Sequence, residues 1–426
     1  MRLLNTYCLL PLCLLSHLLA GSIWTPNVAA AVQSSGDSDR TQATAIASPG
    51  RVIPAGEQIT LHSKILSEDR NVFVALPASY AYSNERYPVL YLTDAQYFFD
   101  QTRSTVAFLA RERIVPELIV VGVTSPDRTH DLYATRADFK FNGRTIPFPN
   151  SGNADKFLEF IAKELIPWTE KAYRTSDLRG LAGVSAGGYF ALHSARIEPR
   201  LFQFVIAASP WLAWDDSKEL KELLPFIASS RFQVRTLFLS YAAEGSEGPE
   251  MKANVETLVA ALQDRNDSSL DWALRSYPEE THNTTVLKAY YDGLRMAFAG
   301  WNGPRDPKTN LLVGSLEDLK AYYAKEGDRL GIRLAPPERV VNELGYQYLR
   351  TGSSDMAVTA FRFNVEQYPE SANAWDSLGE GLERLGKRDE ALASYRKAVA
   401  LGEKNHVPNI EHLRQNLLRL TKSSAM

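Results

Sequence analysis

One short stretch constrains this chain more than any other: Gly183-Val-Ser-Ala-Gly187, with Ser185 at its centre. An apolar run from Leu178 leads into it, and a helix-like run, Tyr189 to Ala195, leads out. G-x-S-x-G between a strand and a helix is the pattern of a sharp turn that lifts a serine hydroxyl clear of its neighbours. Glycines flank the serine because such a turn brings backbones too close for a β-carbon. In a chain of alternating strands and helices, that turn belongs at the carboxyl edge of a largely parallel sheet.

The surrounding sequence has that alternation. From about Gln58 to Trp301, β-like runs at Val72–Leu76, Val89–Leu92, Leu118–Val123, Leu178–Ala182, Phe204–Ala208 and Thr236–Tyr241 are separated by helical stretches such as Ala154–Ala172 and Glu250–Leu262. The pattern predicts an α/β fold with a mostly parallel sheet over residues 56–301. Asn302 to Lys308 is a Gly/Pro-rich break, and residues 302–335 read as a linker containing a helix, Leu316 to Leu330. Beyond it the chain reads as helices only and repeats itself. Leu344, Gly345, Gly352, Ala357 and Phe361 recur 34 residues later as Leu378, Gly379, Gly386, Ala391 and Tyr395. That is the tetratricopeptide (TPR) period, and Trp375-x-x-Leu378-Gly379 matches the opening of its pattern, with Leu382 in place of the usual tyrosine. Residues 336–421 are therefore expected to form TPR-like helical hairpins. The final helix, about Pro408 to Leu420, should cap the stack, which leans on the preceding helix or on the α/β part.

The first 31 residues carry one charge, Arg2, before an apolar stretch broken by Pro11, Ser16 and His17, and end in Ala29-Ala30-Ala31. They read as a signal peptide for export to a periplasm or the medium, without stable membrane insertion after cleavage. Residues 32–55 form a polar lead-in. Cys8 and Cys13 both lie in the leader, so the exported chain would have neither disulfide nor thiolate chemistry. Without Arg2 the balance is 46 basic against 50 acidic residues, which gives no electrostatic case for nucleic acid.

A serine hydroxyl needs a base within hydrogen-bond reach and a carboxylate to hold that base's tautomer. On a strand–turn–helix elbow the chain order is serine, acid, histidine. His17 leaves with the leader, His62 and His130 precede Ser185, His193 lies down the elbow helix, and His406 and His412 belong to the repeats. His282 remains, in the polar loop Ser276-Tyr-Pro-Glu-Glu-Thr-His-Asn283. The acid should follow Thr236–Tyr241, where Glu244 and Glu247 both qualify and spacing does not separate them. Glu250 falls in the first turn of the next helix, where a carboxylate simply favours the dipole. Ala186 should supply one oxyanion amide, and the loop Thr93–Tyr97 the other.

Taken in order, Arg86-Tyr-Pro-Val-Leu-Tyr-Leu-Thr-Asp94, Ile119-Val-Val-Gly-Val123, Arg128-Thr-His-Asp-Leu132, Glu164-Leu-Ile-Pro167, Ser185 with its glycines and Ser209-Pro-Trp-Leu-Ala-Trp-Asp215 resemble one esterase family of α/β-hydrolases. That family includes esterase D-like enzymes, siderophore trilactone esterases and mycolyltransferases, and the tail resembles members with a C-terminal TPR region. The resemblance implies Ser185 as nucleophile, His282 as base and Glu247 as acid. It places the second oxyanion amide at Gln96, with Ala95 where glycine is usual. Tyr97, Phe98, Trp211 and Trp214 follow strands at the carboxyl edge and are candidates to line a substrate pocket. Arg128 and Asp131 either pair with each other or contact substrate. The implied activity is hydrolysis of lipid- or siderophore-like carboxylic esters with no metal or organic cofactor, or acyl transfer to an alcohol by the same triad. The alternative outside enzymology is an inert platform whose TPR region recruits a protein partner.

Overall fold

The computed structural model describes residues 56–141, 144–265 and 269–422, and the expected leader and lead-in lie outside the described residues. The chain opens with strands β1 (Glu57–Ser63), β2 (Glu68–Ala75) and β3 (Tyr87–Leu92), helix α1 (Ala95–Arg111), β4 (Ile119–Val123) and the short α2 (Arg128–Leu132). A small hairpin, β5 (Phe139–Phe141) and β6 (Arg144–Ile146), precedes α3 (Ala154–Phe160) and α4 (Ile166–Ala172). Then come β7 (Thr175–Val184), α5 (Ala186–Ile197), β8 (Phe204–Ala208), α6 (Trp214–Ile227), β9 (Thr236–Ala242), α7 (Glu244–Glu247), α8 (Pro249–Gln263), β10 (Asp271–Tyr277) and α9 (Thr285–Ala297).

Eight strands form one sheet in the order β1-β2-β4-β3-β7-β8-β9-β10. The β1–β2 and β2–β4 pairings are antiparallel and all the others parallel, so the expected α/β-hydrolase class is the one observed. Strand β3 shows why these runs form central strands: all its residues are buried, and side chains alternate between faces. Val89 and Tyr91 join the layer formed by α3 to α6 and α8, while Leu90 and Leu92 join the layer formed by α1 and α9.

The expected helix over Ala154–Ala172 is continuous but widens to a π-helical turn at Ile161–Leu165. Within that turn, Glu164 reaches the β1–β2 turn, accepting from Ser63 Oγ at 2.5 Å and from the amides of Lys64 and Ile65 at 3.0 and 3.3 Å. The Glu-Leu-Ile-Pro motif thus caps a turn about a hundred residues upstream.

The remaining described elements are helices: α10 (Leu316–Leu330), α11 (Glu338–Arg350), α12 (Ser354–Gln367), α13 (Ala372–Arg384), α14 (Arg388–Lys404) and α15 (Ile410–Lys422). Helix α10 starts with a reciprocal capping box between Ser315 and Asp318. In α11/α12 and α13/α14 the repeat makes the same contact twice: the Phe361 ring lies against Gly345, and the Tyr395 ring against Gly379. A β-carbon on either glycine would collide with the ring, which is why the small–large pair recurs. The helical segment joins the α/β part through shared core, since Leu330, Ile332, Leu334 and Trp301 pack in one cluster with Phe204 and Phe298.

Candidate active site

Strand β7 delivers Ser185 at its carboxyl end with φ 60° and ψ −118°, a conformation few residues other than glycine adopt. Neighbouring bonds hold the strained residue in place: Ser185 N–H donates to Ala208 O at 3.0 Å, and Ser185 O accepts from Tyr189 N–H and Trp211 N–H. A β-carbon on Gly187 would collide with Thr93 Oγ1, so the elbow rests directly on the loop after β3.

The candidate acid and histidine arrive from the loops after β9 and β10. Strand β9 ends at Ala242, and α7 carries Glu247 inward, 5% exposed, while Glu244 points outward to Lys252 at 3.4 Å. After β10, His282 Nδ1 lies 3.2 Å from Glu247 Oε1. Backbone bonds fix both loops together: His282 N–H donates to Ser246 Oγ at 3.0 Å and Ala243 N–H to Glu280 O at 3.0 Å. The other oxygen of Glu247, Oε2, has no partner among the described residues, so the hydrogen bond to histidine is the one that orients the carboxylate. Geometry therefore separates the two glutamates that spacing left together. Ser246 carried no signal in the sequence beyond its adjacency to the acid.

The amide of Ala186 opens α5, and those of Ala95 and Gln96 open α1; none of the three has a hydrogen-bond partner among the described residues. Orphan amides at helix starts are where an anionic oxygen binds. The side chain of Gln96 faces elsewhere, exchanging two hydrogen bonds of 3.2 Å with the backbone of Ser125.

The aromatic candidates divide. Tyr97 is 47% exposed, whereas Trp211 and Trp214 are mostly core, at 8% and 2%. Trp214 stacks on Tyr133 at 4.0 Å and donates to Thr135 O at 3.0 Å. Both indoles nevertheless border a hollow of about 220 Å³ shared with Arg136, Phe139 and Asp215. A larger cavity, about 1510 Å³, lies at the opposite, amino-terminal edge of the sheet between Tyr87, Leu118, Thr175 and Glu338, away from Ser185. Arg128 and Asp131 do not pair with each other. Asp131 forms a buried ion pair with Arg70, 2.5 and 2.7 Å, and Arg128 grips Asp94 through Nε and Nη2 at 2.8 and 3.1 Å. Each arginine sits next to a different acid because β2 and the β3 loop flank α2 on two sides.

Residues 63–267 match the family model described as "Putative esterase". Those residues belong to this esterase family. The chain is 28% identical over 261 residues to the ferri-bacillibactin esterase BesA of Bacillus subtilis, covering 58% of this chain and 90% of that protein. It is 25% identical over 240 residues to the siderophore triacetylfusarinine C esterase of Aspergillus fumigatus, covering 50% and 82%. Among solved structures it resembles an IroE-like serine hydrolase from Shewanella oneidensis, with a TM-score of 0.65 and 26% identity over 73% of this chain and 99% of that one. The protein is thus a carboxylic ester hydrolase of the α/β-hydrolase fold.

Proposed function

We propose that this esterase works through an acyl-enzyme formed on Ser185, with His282 as base and Glu247 as its orienting acid. The hydrogen bond between the buried Glu247 and His282, on loops at the same carboxyl edge of the sheet as an elbow with unpartnered amides, carries the reading. Glu247 holds the Nδ1–H tautomer, leaving Nε2 to take the serine proton and return it to the leaving alcohol. The amides of Ala186 and Gln96 stabilise the oxygen as charge develops on it, and water then repeats the sequence to release the acid. Tyr97 and Trp211 border the substrate.

The substrates we assign are siderophore-type esters, since the relatives above are a ferri-bacillibactin esterase and a siderophore triacetylfusarinine C esterase. Residues 1–31 direct export, and the helical region serves the stability of the enzyme first. A fluorophosphonate probe followed by peptide mass spectrometry tests the mechanism. Label on Ser185 that disappears in His282→Ala is expected, and a folded, unlabelled wild type would refute it. Chromatography of a catecholate trilactone and a cyclic hydroxamate triester, each with and without iron, tests the substrate class. Cleavage of simple aryl esters alone would overturn that part, and the amino-terminal residue of the exported protein checks the leader.

A further inference from the structure

Asp94 departs twice from what its place in the fold asks. It is the N-cap of α1, its carbonyl accepting from Tyr97 N–H and Phe98 N–H at 2.9 and 3.3 Å. Aspartate there ordinarily turns its carboxylate onto the free amides of its own helix. Here the side chain makes no capping bond, and the backbone is left-handed at φ 56° and ψ 36°, which carries a steric cost for a residue with a β-carbon.

One neighbour accounts for both departures. Arg128 holds the two carboxylate oxygens in a fork at 2.8 and 3.1 Å, and its Nη2 also donates to Val184 O, the carbonyl just before Ser185, at 3.5 Å. The fork draws the carboxylate off α1 and toward the elbow. Asp94 is fully buried there, so it has no solvent in which to rest instead. The amides of Ala95 and Gln96 are left open, and the Gln96 side chain, engaged with Ser125, does not close them.

We infer that Arg128 is a positioning residue that keeps the oxyanion amides of α1 open by holding Asp94 away from them. Without the fork, Asp94 would relax toward the ordinary N-cap conformation. Its negative oxygen would then occupy the place that the substrate's oxyanion needs, so the helix would inhibit its own active site. The inference rests on the Ser185 mechanism proposed above.

The test is a series in the full-length protein: Arg128→Met alone, with Asp94→Ala, and with Asp94→Asn. Asparagine caps a helix about as well as aspartate, whereas alanine does not. Arg128→Met should lower kcat about 10²- to 10³-fold, the effect of losing an oxyanion donor, with KM little changed. Adding Asp94→Ala should recover at least tenfold in kcat, and adding Asp94→Asn should not. If the single variant fails only because it buries an unpaired charge, both double variants recover equally. If Arg128 instead contacts substrate, neither recovers and KM rises. Either pattern overturns the inference. Should Arg128→Met not fold, the two double variants, which leave no charge unpaired, still give the comparison, with circular dichroism and thermal unfolding confirming the folded fraction. A wild type that takes no fluorophosphonate at Ser185 would sink the mechanism itself, whereas a labelled wild type with equal double variants would sink only this inference.

Discussion

Glu244 and Glu247 share a loop, a charge and nearly a position, yet the fold gives them opposite surroundings. Glu247 turns inward onto His282, and Glu244 stays in solvent beside Lys252. Replacing Glu247 with glutamine keeps the shape but lets the side chain donate to Nδ1, favouring the wrong tautomer. A change of that kind is expected to lower kcat by about 10³- to 10⁴-fold. Glu244→Gln should stay within about twofold, because exposed ion pairs contribute little. Steady-state kinetics on one aryl ester checks both, and an equal effect of the two substitutions would overturn the assignment. At this scale the sequence offers candidates where chemistry limits the choice of residue. Ser185 was marked by its glycines and His282 by elimination. Asp94 and Arg128 were not legible as partners, because their pairing depends on how two strand-end loops meet in space.

Elements were legible to the extent that burial drives them. The parallel strands read as short apolar runs because both their faces are covered, and Phe204–Ala208 and Leu316–Leu330 match element boundaries. The entry to α6 did not read, since Asp215, Asp216 and Ser217 adopt φ values of 50°, 51° and 57° with no glycine among them. The π turn was equally silent, although it aims Glu164 at the β1–β2 turn. Glu164→Ala should cost about 2 kcal/mol in urea unfolding, since it removes hydrogen bonds to a charged acceptor. A second element-scale network ties three helices behind the elbow. Buried His193 on α5 lies between Glu219 on α6 and Asp155 on α3, each at 2.9 Å, and Arg196 also grips Glu219 at 2.7 Å. Burial alone would depress the His193 pKa, but its two carboxylate partners outweigh that and raise it. Burial likewise would raise Glu219, but Arg196 and His193 lower it, and the bond from His193 lowers Asp155. A raised histidine contributes stability that is complete below its unfolded pKa of about 6.5 and lost as pH rises through the folded value. The lowered carboxylates contribute above their unfolded values of about 4 and lose it as pH falls. Stability should therefore decline as pH rises above neutrality, and His193→Gln should flatten that decline. Urea unfolding across pH 5–9 measures it, and parallel profiles for the two proteins would rule the network out.

For the molecule as a whole, the question is whether the helical repeats are passengers. Sequence suggested that two repeats would need support, and the packing supplies it through α10. One face of α10 carries Leu316, Leu319 and Tyr323 into a cluster with Val340, Val341 and Leu344 of α11. Arg305 meets Glu343 of α11 in a fork at 2.7 and 2.9 Å. The end of α10 is bound to the α/β part, with Leu330 in its core, Arg329 paired to Asp271 at 3.2 Å and Tyr323 Oη donating to Trp301 O at 2.6 Å. Deleting residues 336–426 would return the shared face of α10 to water. At about 1.5–3 kcal/mol for each large side chain re-exposed, the loss is several kcal/mol. Against a total stability of about 5–15 kcal/mol, that is a large fraction. The truncated protein should thus unfold about 10 °C or more below the full chain. Ser185, Glu247 and His282 lie at the other edge of the sheet, so turnover per folded molecule should persist well below the new transition. Thermal unfolding of both proteins, with ester turnover at 15 °C, separates the cases. An unchanged transition with retained turnover would mean that the repeats hang free of the enzyme, and an unchanged transition with lost turnover would mean that they reach the active site.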